Sequence, residues 1–289
     1  MILVIDSNYI CHLSKHSMKG LSYQEMKVGV VFGFLRQILS LAKAFETNKF
    51  IFTWDSKTSL RKEIFPAYKA KRKTNKTEED LELDALSYPQ FDTLRDTIIP
   101  YLGFANNHMQ IGYEADDLVA VITKTENEFV IVSADEDLYQ CLSDTVSLYS
   151  IRKKQSYTAK NLYKDYGVTP KQWIMVKAIG GCRTDEIPGI DNVGEKTAAK
   201  FIRKQLSFNT MAHQNILKGT EIIQRNIPLV ELPFKRTLPI TYKRDHLNLE
   251  AFVEVCKSYG FNSFLTREVY QQWKTNVFGV KDNLFEEES

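Results

Sequence analysis

Three short apolar runs in this chain each lead to an aspartate. Ile2-Leu3-Val4-Ile5 runs straight into Asp6, Phe50-Ile51-Phe52 is followed by Asp55, and Phe129-Val130-Ile131-Val132 by Asp135. If the runs are neighbouring strands of a parallel sheet, the three carboxylates reach one rim, the crevice where open α/β sheets bind ligands. One aspartate after a strand is ordinarily the N-cap of the next helix. Three on three strands repel one another and call for cations between them. Two further clusters, Glu114-Ala115-Asp116-Asp117 and Asp135-Glu136-Asp137, each open an expected helix. The helix dipole accounts for one or two acids in a first turn, and less well for six acids ahead of apolar core faces. Oxygen donors without His or Cys suit Mg²⁺ or Mn²⁺ rather than zinc. Two such ions are a device for in-line attack of water on a phosphodiester.

The elements that must position these acids can be read from periodicity. Uninterrupted apolar runs suit strands buried on both faces. Between the first two runs, Val28, Val31, Leu35, Ile38, Leu39, Ala42 and Phe45 follow helical spacing, predicting a helix from about Tyr23 to Phe45. Another helix should follow Gly112, with Leu118, Val121 and Ile122 facing inward, and Thr145 to Tyr149 reads as a fourth strand. Strands alternating with helices predict an α/β fold: a mainly parallel central sheet flanked by helices. After about residue 150 the chain becomes mainly helical, punctuated by Pro188, Gly189 and Gly194. Pro228, Pro233 and Pro239 mark an irregular segment. A last helical stretch runs from about Leu249 to Trp273, and the Glu286-Glu287-Glu288 tail should fray.

With 289 residues, 43% hydrophobic and 26% charged, the chain can bury a sizeable core and is neither disordered nor collagenous. Cys11, Cys141, Cys182 and Cys256 are scattered without metal-finger spacing, so they read as reduced thiols. The apolar stretch from Val28 to Leu35 is too short to span a bilayer, and no secretory signal is visible; a cytoplasmic location is expected. Net charge is only +2, but it is unevenly spread. Lys57 to Lys76 holds eight bases and one acid, Asn106 to Gln140 eight acids and one base, and Ser150 to Gln205 twelve bases and five acids. Each zone alone reads as solvated surface; together, an acidic zone between two basic ones suits a metal cluster flanked by surfaces for a polyanion.

These residues resemble the 5′-nuclease family of flap endonucleases and the 5′–3′ exonuclease domain of bacterial DNA polymerase I. The matching stretches are Leu3-Val4-Ile5-Asp6, Trp54-Asp55 through Arg61 to Tyr68-Lys69, Tyr113-Glu114-Ala115-Asp116-Asp117, Ser133-Ala134-Asp135-Glu136-Asp137-Leu138, and Asp185-Glu186-Ile187-Pro188-Gly189 leading to Gly194-Glu195-Lys196-Thr197-Ala198. They follow in family order over about residues 1 to 205. The resemblance implies that Asp6, Asp55, Glu114 and Asp116 hold the metal ion nearer the reaction, while Asp117, Asp135, Asp137 and Asp185 complete the cluster and a second site. Where the family usually places an aspartate for the second ion, this chain has Cys182, and a thiol is a poor ligand for Mg²⁺. Glu186 is a candidate replacement.

The resemblance also makes the basic stretch part of an arch around a 5′ single strand. Lys69 and Arg72 would then contact the scissile phosphate, Tyr68 would position an unpaired nucleotide, and Arg61 would clamp a phosphate. Gly189 to Thr197 nearly imitates a nucleotide-binding loop, but Glu195 separates Gly194 from Lys196 and no apolar strand precedes it. A helix-hairpin-helix accounts for it better. Pro188-Gly189 would end one helix, and the next would offer the amides after Gly194, near Thr197, to phosphate. Lys196, Lys200, Arg203 and Lys204 would add contacts indifferent to base sequence. Asn192 tolerates the left-handed turn such a hairpin needs.

The expected organisation is a nuclease domain with its arch over residues 1–165 and the hairpin with C-terminal helices over 166–289. The expected activity is Mg²⁺- or Mn²⁺-dependent cleavage of DNA at 5′ flaps and 5′ ends, extending to RNA primers in RNA–DNA hybrids, by a monomer with no membrane partner. The rivals are a PIN-like ribonuclease, which needs neither arch nor hairpin, and a DNA-junction binding protein whose metal site has decayed at Cys182. A haloacid-dehalogenase-like phosphatase fails because Asn8 replaces its second aspartate.

Overall fold

Six strands build the central sheet: β1 (Ile2–Asp6), β2 (Phe50–Trp54), β3 (Asn107–Met109), β4 (Phe129–Val132), β5 (Val146–Ser150) and β6 (Gln155–Tyr157). The computed structural model that shows them describes residues 1–280 apart from Lys73, Asn75 and the side chain of Arg72. The Glu286-Glu287-Glu288 tail lies outside the described residues. The spatial order is β3-β2-β1-β4-β5-β6, parallel except for the β5–β6 pair. Successive strands travel outward from β1 to β3, and the chain then returns to place β4 on the other side of β1. That reversal opens a crevice at the carboxyl ends of β1 and β4, where Asp6 and Asp135 stand.

Alternation along each strand divides the core into two layers. Leu3, Ile5, Phe50, Phe52 and Trp54 face helices α1 (Ser7–Ser17) and α2 (Gly29–Phe45). Ile2, Val4, Ile51 and Ile131 face the opposite way, toward Val119 of α4 (Ala115–Ile122) and Trp173 of α5 (Pro170–Gly180). Between α2 and α4 in sequence, α3 (Glu78–Thr93) starts with a Thr77–Asp80 capping box and is tied to α1 by buried Asp84, which pairs with Lys15 and Lys76.

Several boundaries differ from the sequence reading. The helix expected from Tyr23 begins at Gly29, because Ser22–Tyr23 and Met26–Lys27 pair as a small hairpin whose turn residues Gln24 and Glu25 have positive φ. Pro228 is no irregular-segment marker: it lies inside helix α7 (Thr220–Val230). The last helical stretch is broken at Gly260, whose φ of +68° ends Leu249–Ser258, and it resumes at Arg267. Beside a small cluster of Ala178, Cys182, Ile187, Leu229 and Val230 around Tyr68, described residues after 166 join both layers of the sheet. Trp173, Val176, Ala198 and Ile216 share the layer of Val4, whereas Phe252, Trp273 and Val277 return to the layer of Phe34 and Phe52. Among the described residues, no helix is long and apolar enough to cross a membrane.

Candidate active site

Asp6 caps α1 by accepting from the Tyr9 amide at 3.0 Å, and its other oxygen accepts from Ser133 Oγ at 2.8 Å. Ser133 in turn accepts from the Asp135 amide, and Asp135 accepts from the Asp137 amide at 2.8 Å. Backbone and hydroxyl donors thus string the carboxyl ends of β1 and β4 together. Asp55 is fixed twice: its amide donates to Asn8 Oδ1 at 3.1 Å, and its carboxylate accepts from the Ala115 amide at 2.8 Å. That bond brings the first turn of α4, with Glu114, Asp116 and Asp117, to the same rim.

The acids feel one another strongly. Burial and then the nearby Asp55 push the Asp6 carboxyl up to about 6. Asp135 opens to solvent along the cleft, yet the packing behind it, followed by Asp137, lifts its carboxyl to about 7. Burial together with Asp135, Asp6 and Asp55 holds Asp116 well above the carboxylate range. Crowded oxygen donors that resist ionising together are the donor set a hard divalent cation fits. Asp6, Asp55 and Asp116, edged by Asp135, pass that test on their own chemistry.

Glu114 lies at the border of this group. Burial opposes its charge, but Lys69, Arg61 and Tyr68 outweigh burial and keep its carboxyl below the usual value. Lys69 Nζ stands 2.7 Å from Glu114 Oε2 and 3.5 Å from Asp185 Oδ2. Its backbone is left-handed, with φ at 52°, and its amide donates to the Asp185 carbonyl. Strain of this kind persists only where the surroundings enforce it, and here it aims the ammonium between two acids.

Four expectations for this region need correction. Arg61 is 2% exposed, and its guanidinium forms two 2.7 Å hydrogen bonds to Asp117, which is fully buried. Arg61 also donates to the Leu229 carbonyl, while Asp117 accepts from the Glu114 and Phe234 amides. This pair clamps α4 to the end of α7; Arg61 is not placed to clamp a phosphate, nor Asp117 to hold a metal ion. Tyr68 is 1% exposed, packed beside Ala178, Cys182 and Ile187, so its ring is not open to position an unpaired nucleotide. Its hydroxyl instead lies 2.8 Å from Glu114 Oε2 and 3.1 Å from Asp185 Oδ2 and donates into that pair. Glu186 has a left-handed backbone and accepts from the Lys71 amide at 2.7 Å, so it does not replace the aspartate missing at Cys182. Arg72 closes a short turn, Ala70–Arg72, and its side chain lies outside the described residues.

A cleft of about 950 Å³ continues from Asp135 and Asp137 past Lys177 and Cys182 to Gly194. Asp137, Cys182 and Asp185 bring one ligand atom each within 4.8 Å of one another. Burial and then Asp137 push the Cys182 thiol up to about 11. Lys177, which the sequence reading passed over, pairs with Asp137 at 2.8 Å and with Glu195 at 2.9 Å. Burial works against its charge, but Asp137 and Glu195 raise its pKa nonetheless.

The hairpin differs in detail from its expected form. Its first helix, α5, ends at Gly180 rather than at Pro188-Gly189, and a two-stranded ladder of Gly181–Cys182 with Ile187–Pro188 intervenes. Gly181 has φ +76°, and a Cβ on Gly189 would strike Gly180 backbone at 2.3 Å, so these glycines let two chain segments touch. Asn192 takes the left-handed conformation, φ 60°. Gly194 then caps α6 (Glu195–Ile202), with open space where its Cβ would be. Lys196 and Lys200 are exposed and Thr197 half-buried around that helix start.

Residues 1–167 match the family described as 5′-3′ exonuclease, N-terminal resolvase-like domain. The chain is 31% identical over 77% of its length to the thermostable DNA polymerase I of Thermus thermophilus, spanning 26% of that protein. It is 27% identical to a 5′-3′ exonuclease of Buchnera aphidicola over 88% of both. Its fold is like that of the bacteriophage T5 flap endonuclease solved with DNA and metal ions, with TM-score 0.70 and 23% identity over 94% of this chain and 98% of that one. A carboxylate-rimmed parallel sheet with these likenesses, over more than half of its length, makes the chain a member of the 5′-3′ exonuclease family.

Proposed function

We propose that this chain hydrolyses phosphodiesters of DNA at 5′ ends and 5′ flaps, using a divalent cation, Mg²⁺ or Mn²⁺. The observation that carries the reading is the meeting of Asp6, Asp55, Asp116 and Asp135 at the crevice between β1 and β4, each pushing on its neighbours' ionisation. The likeness to a 5′-3′ exonuclease and to a flap endonuclease solved with DNA and metal ions supports it.

Asp6, Asp55 and Asp116 would hold the cation, with Glu114 and Asp135 at its edges. A bound divalent ion supplies charge neutralisation at the phosphate and makes water more acidic. The chain's own groups do the rest. Ser133 Oγ and the Ala115 amide fix Asp6 and Asp55 in orientation. Lys69, held between Glu114 and Asp185, sets a positive charge where a phosphate entering the cleft gains most as negative charge develops. The open start of α6 at Gly194, with Lys196 and Lys200, grips a duplex backbone without reading bases. The turn at Ala70–Arg72 flanks the path of the single strand. The test is cleavage of a 5′-labelled DNA flap, and of its RNA counterpart, with Mg²⁺, Mn²⁺ or EDTA. Release of short labelled products with either ion and not with EDTA is expected; undiminished cleavage in EDTA, or none under any condition, overturns the reading.

A further inference from the structure

On the metal-dependent reading above, a second Mg²⁺ would be expected among Asp137, Cys182 and Asp185, whose donor atoms lie within 4.8 Å of one another. The donor set does not suit that ion. Sulfur is a soft donor that Mg²⁺ avoids, and Cys182 Sγ is in contact with Thr184 Oγ1 at 3.1 Å. The compensating positive charge comes from the chain itself. Lys177 Nζ is 2.8 Å from Asp137 Oδ1 and 2.9 Å from Glu195 Oε1, with its side chain 8% exposed. Lys69 Nζ stands 3.5 Å from Asp185 Oδ2 on the other side. A buried ammonium survives only when paired, and this one is paired twice, at the end of the same helix, α5, that leads into Cys182.

We propose that Lys177, rather than a second divalent ion, neutralises the Asp137 side of the cleft, so that the chain binds one cation tightly. Glu195 is the first residue of α6, so the same ammonium ties the acidic cleft to the helix that would grip duplex DNA. Lys177 acts through Asp137 and Glu195 and is therefore a positioning residue. It differs from a bound ion in that it cannot dissociate or be chelated.

Binding of Mn²⁺ to the full chain, followed by electron paramagnetic resonance at neutral pH without DNA, tests this. Wild type should bind one Mn²⁺ tightly and any second about tenfold or more weaker, the scale on which neighbouring groups tune metal sites. Lys177→Arg should keep that stoichiometry. Lys177→Met combined with Cys182→Asp removes the ammonium and adds an oxygen donor, and a second Mn²⁺ should then bind within a few-fold of the first. Two equal sites in wild type, or no second site in a folded double variant, would overturn the proposal. If the double variant misfolds, Lys177→Met alone decides: tighter binding of the weak ion supports the proposal and unchanged binding overturns it. Wild type that binds no Mn²⁺ tightly would instead sink the metal-dependent reading, and this inference with it.

Discussion

The two halves of the acidic cleft use the same residue type in opposite electrostatic settings. Around β1 and β4, burial first and then the neighbouring carboxylates raise the pKa values of Asp6, Asp116 and Asp135. In the other half, Asp137 and Asp185 each have a lysine within ion-pair distance, Lys177 and Lys69. A carboxylate's position on a rim therefore does not decide whether it holds a metal ion. What decides is whether the fold has already supplied its counter-charge. On the proposed reading, one half takes its cation from solution and the other carries its counter-charge on Lys177 and Lys69.

The largest effect should come from the uncompensated half. Asp116→Asn should lower flap cleavage on the order of 10³-fold or more, the scale of removing a central catalytic group, while DNA binding persists. Near wild-type cleavage would show that the crowded acids are not the reaction centre. At the boundary, Lys69→Ala should reduce the single-turnover rate on the order of 10²-fold, as for loss of one preorganised donor, with duplex affinity little changed. An equal loss of affinity would make Lys69 a binding group, and the two halves would no longer differ in chemistry.

A smaller effect should appear in stability with chelator present. The folded-state values of Asp6, about 6, and Asp135, about 7, lie above the ordinary 3.8. The folded chain therefore holds these protons more tightly than the unfolded one. The stability they contribute is full below about pH 4 and is lost as pH rises through 6 to 7. In EDTA, Asp6→Asn should therefore raise Tm at pH 8 by roughly 2–4 °C, the shift for about 1 kcal/mol in a chain of this size. At pH 5 the gain should shrink; a gain equal at both pH values would remove the repulsion argument. Least of all, Lys196→Ala or Lys200→Ala should weaken duplex binding and lower its salt slope by about 0.9 for each phosphate that is no longer neutralised. Turnover at saturating DNA should hold, and a fall in turnover would extend the reaction centre to the hairpin.

The carboxylate rim was legible because each apolar run is short, buried on both faces and followed by its aspartate, so local pattern and position coincide. The start of α5 was also written locally, in the Thr169 and Gln172 capping box with Pro170 at the first helical position, though periodicity alone passed over it. The roles of Arg61, Asp117 and Tyr68 were not legible. Arg61 meets Asp117 across 56 residues and Leu229 across 168, and no spacing rule reports such contacts. Tyr68 read as a nucleotide-positioning aromatic in a basic stretch; only its enclosure by Cys182, Ile187 and Leu229 turned its hydroxyl inward. Lys177 was hidden in the same way, since a lysine on a helix within a basic zone reads as surface until Asp137 and Glu195 close over it.

The return of Phe252, Trp273 and Val277 to the layer of Phe34 and Phe52 has a consequence on the ribosome. The residues that close this layer are made about 200 positions after β2. At ordinary elongation rates the apolar face of α2 therefore waits roughly 10–40 s for its cover. During that interval this layer is covered only in part, by residues such as Trp54 and Phe104, and its last core contacts form only once Val277 and Phe278 have left the ribosome.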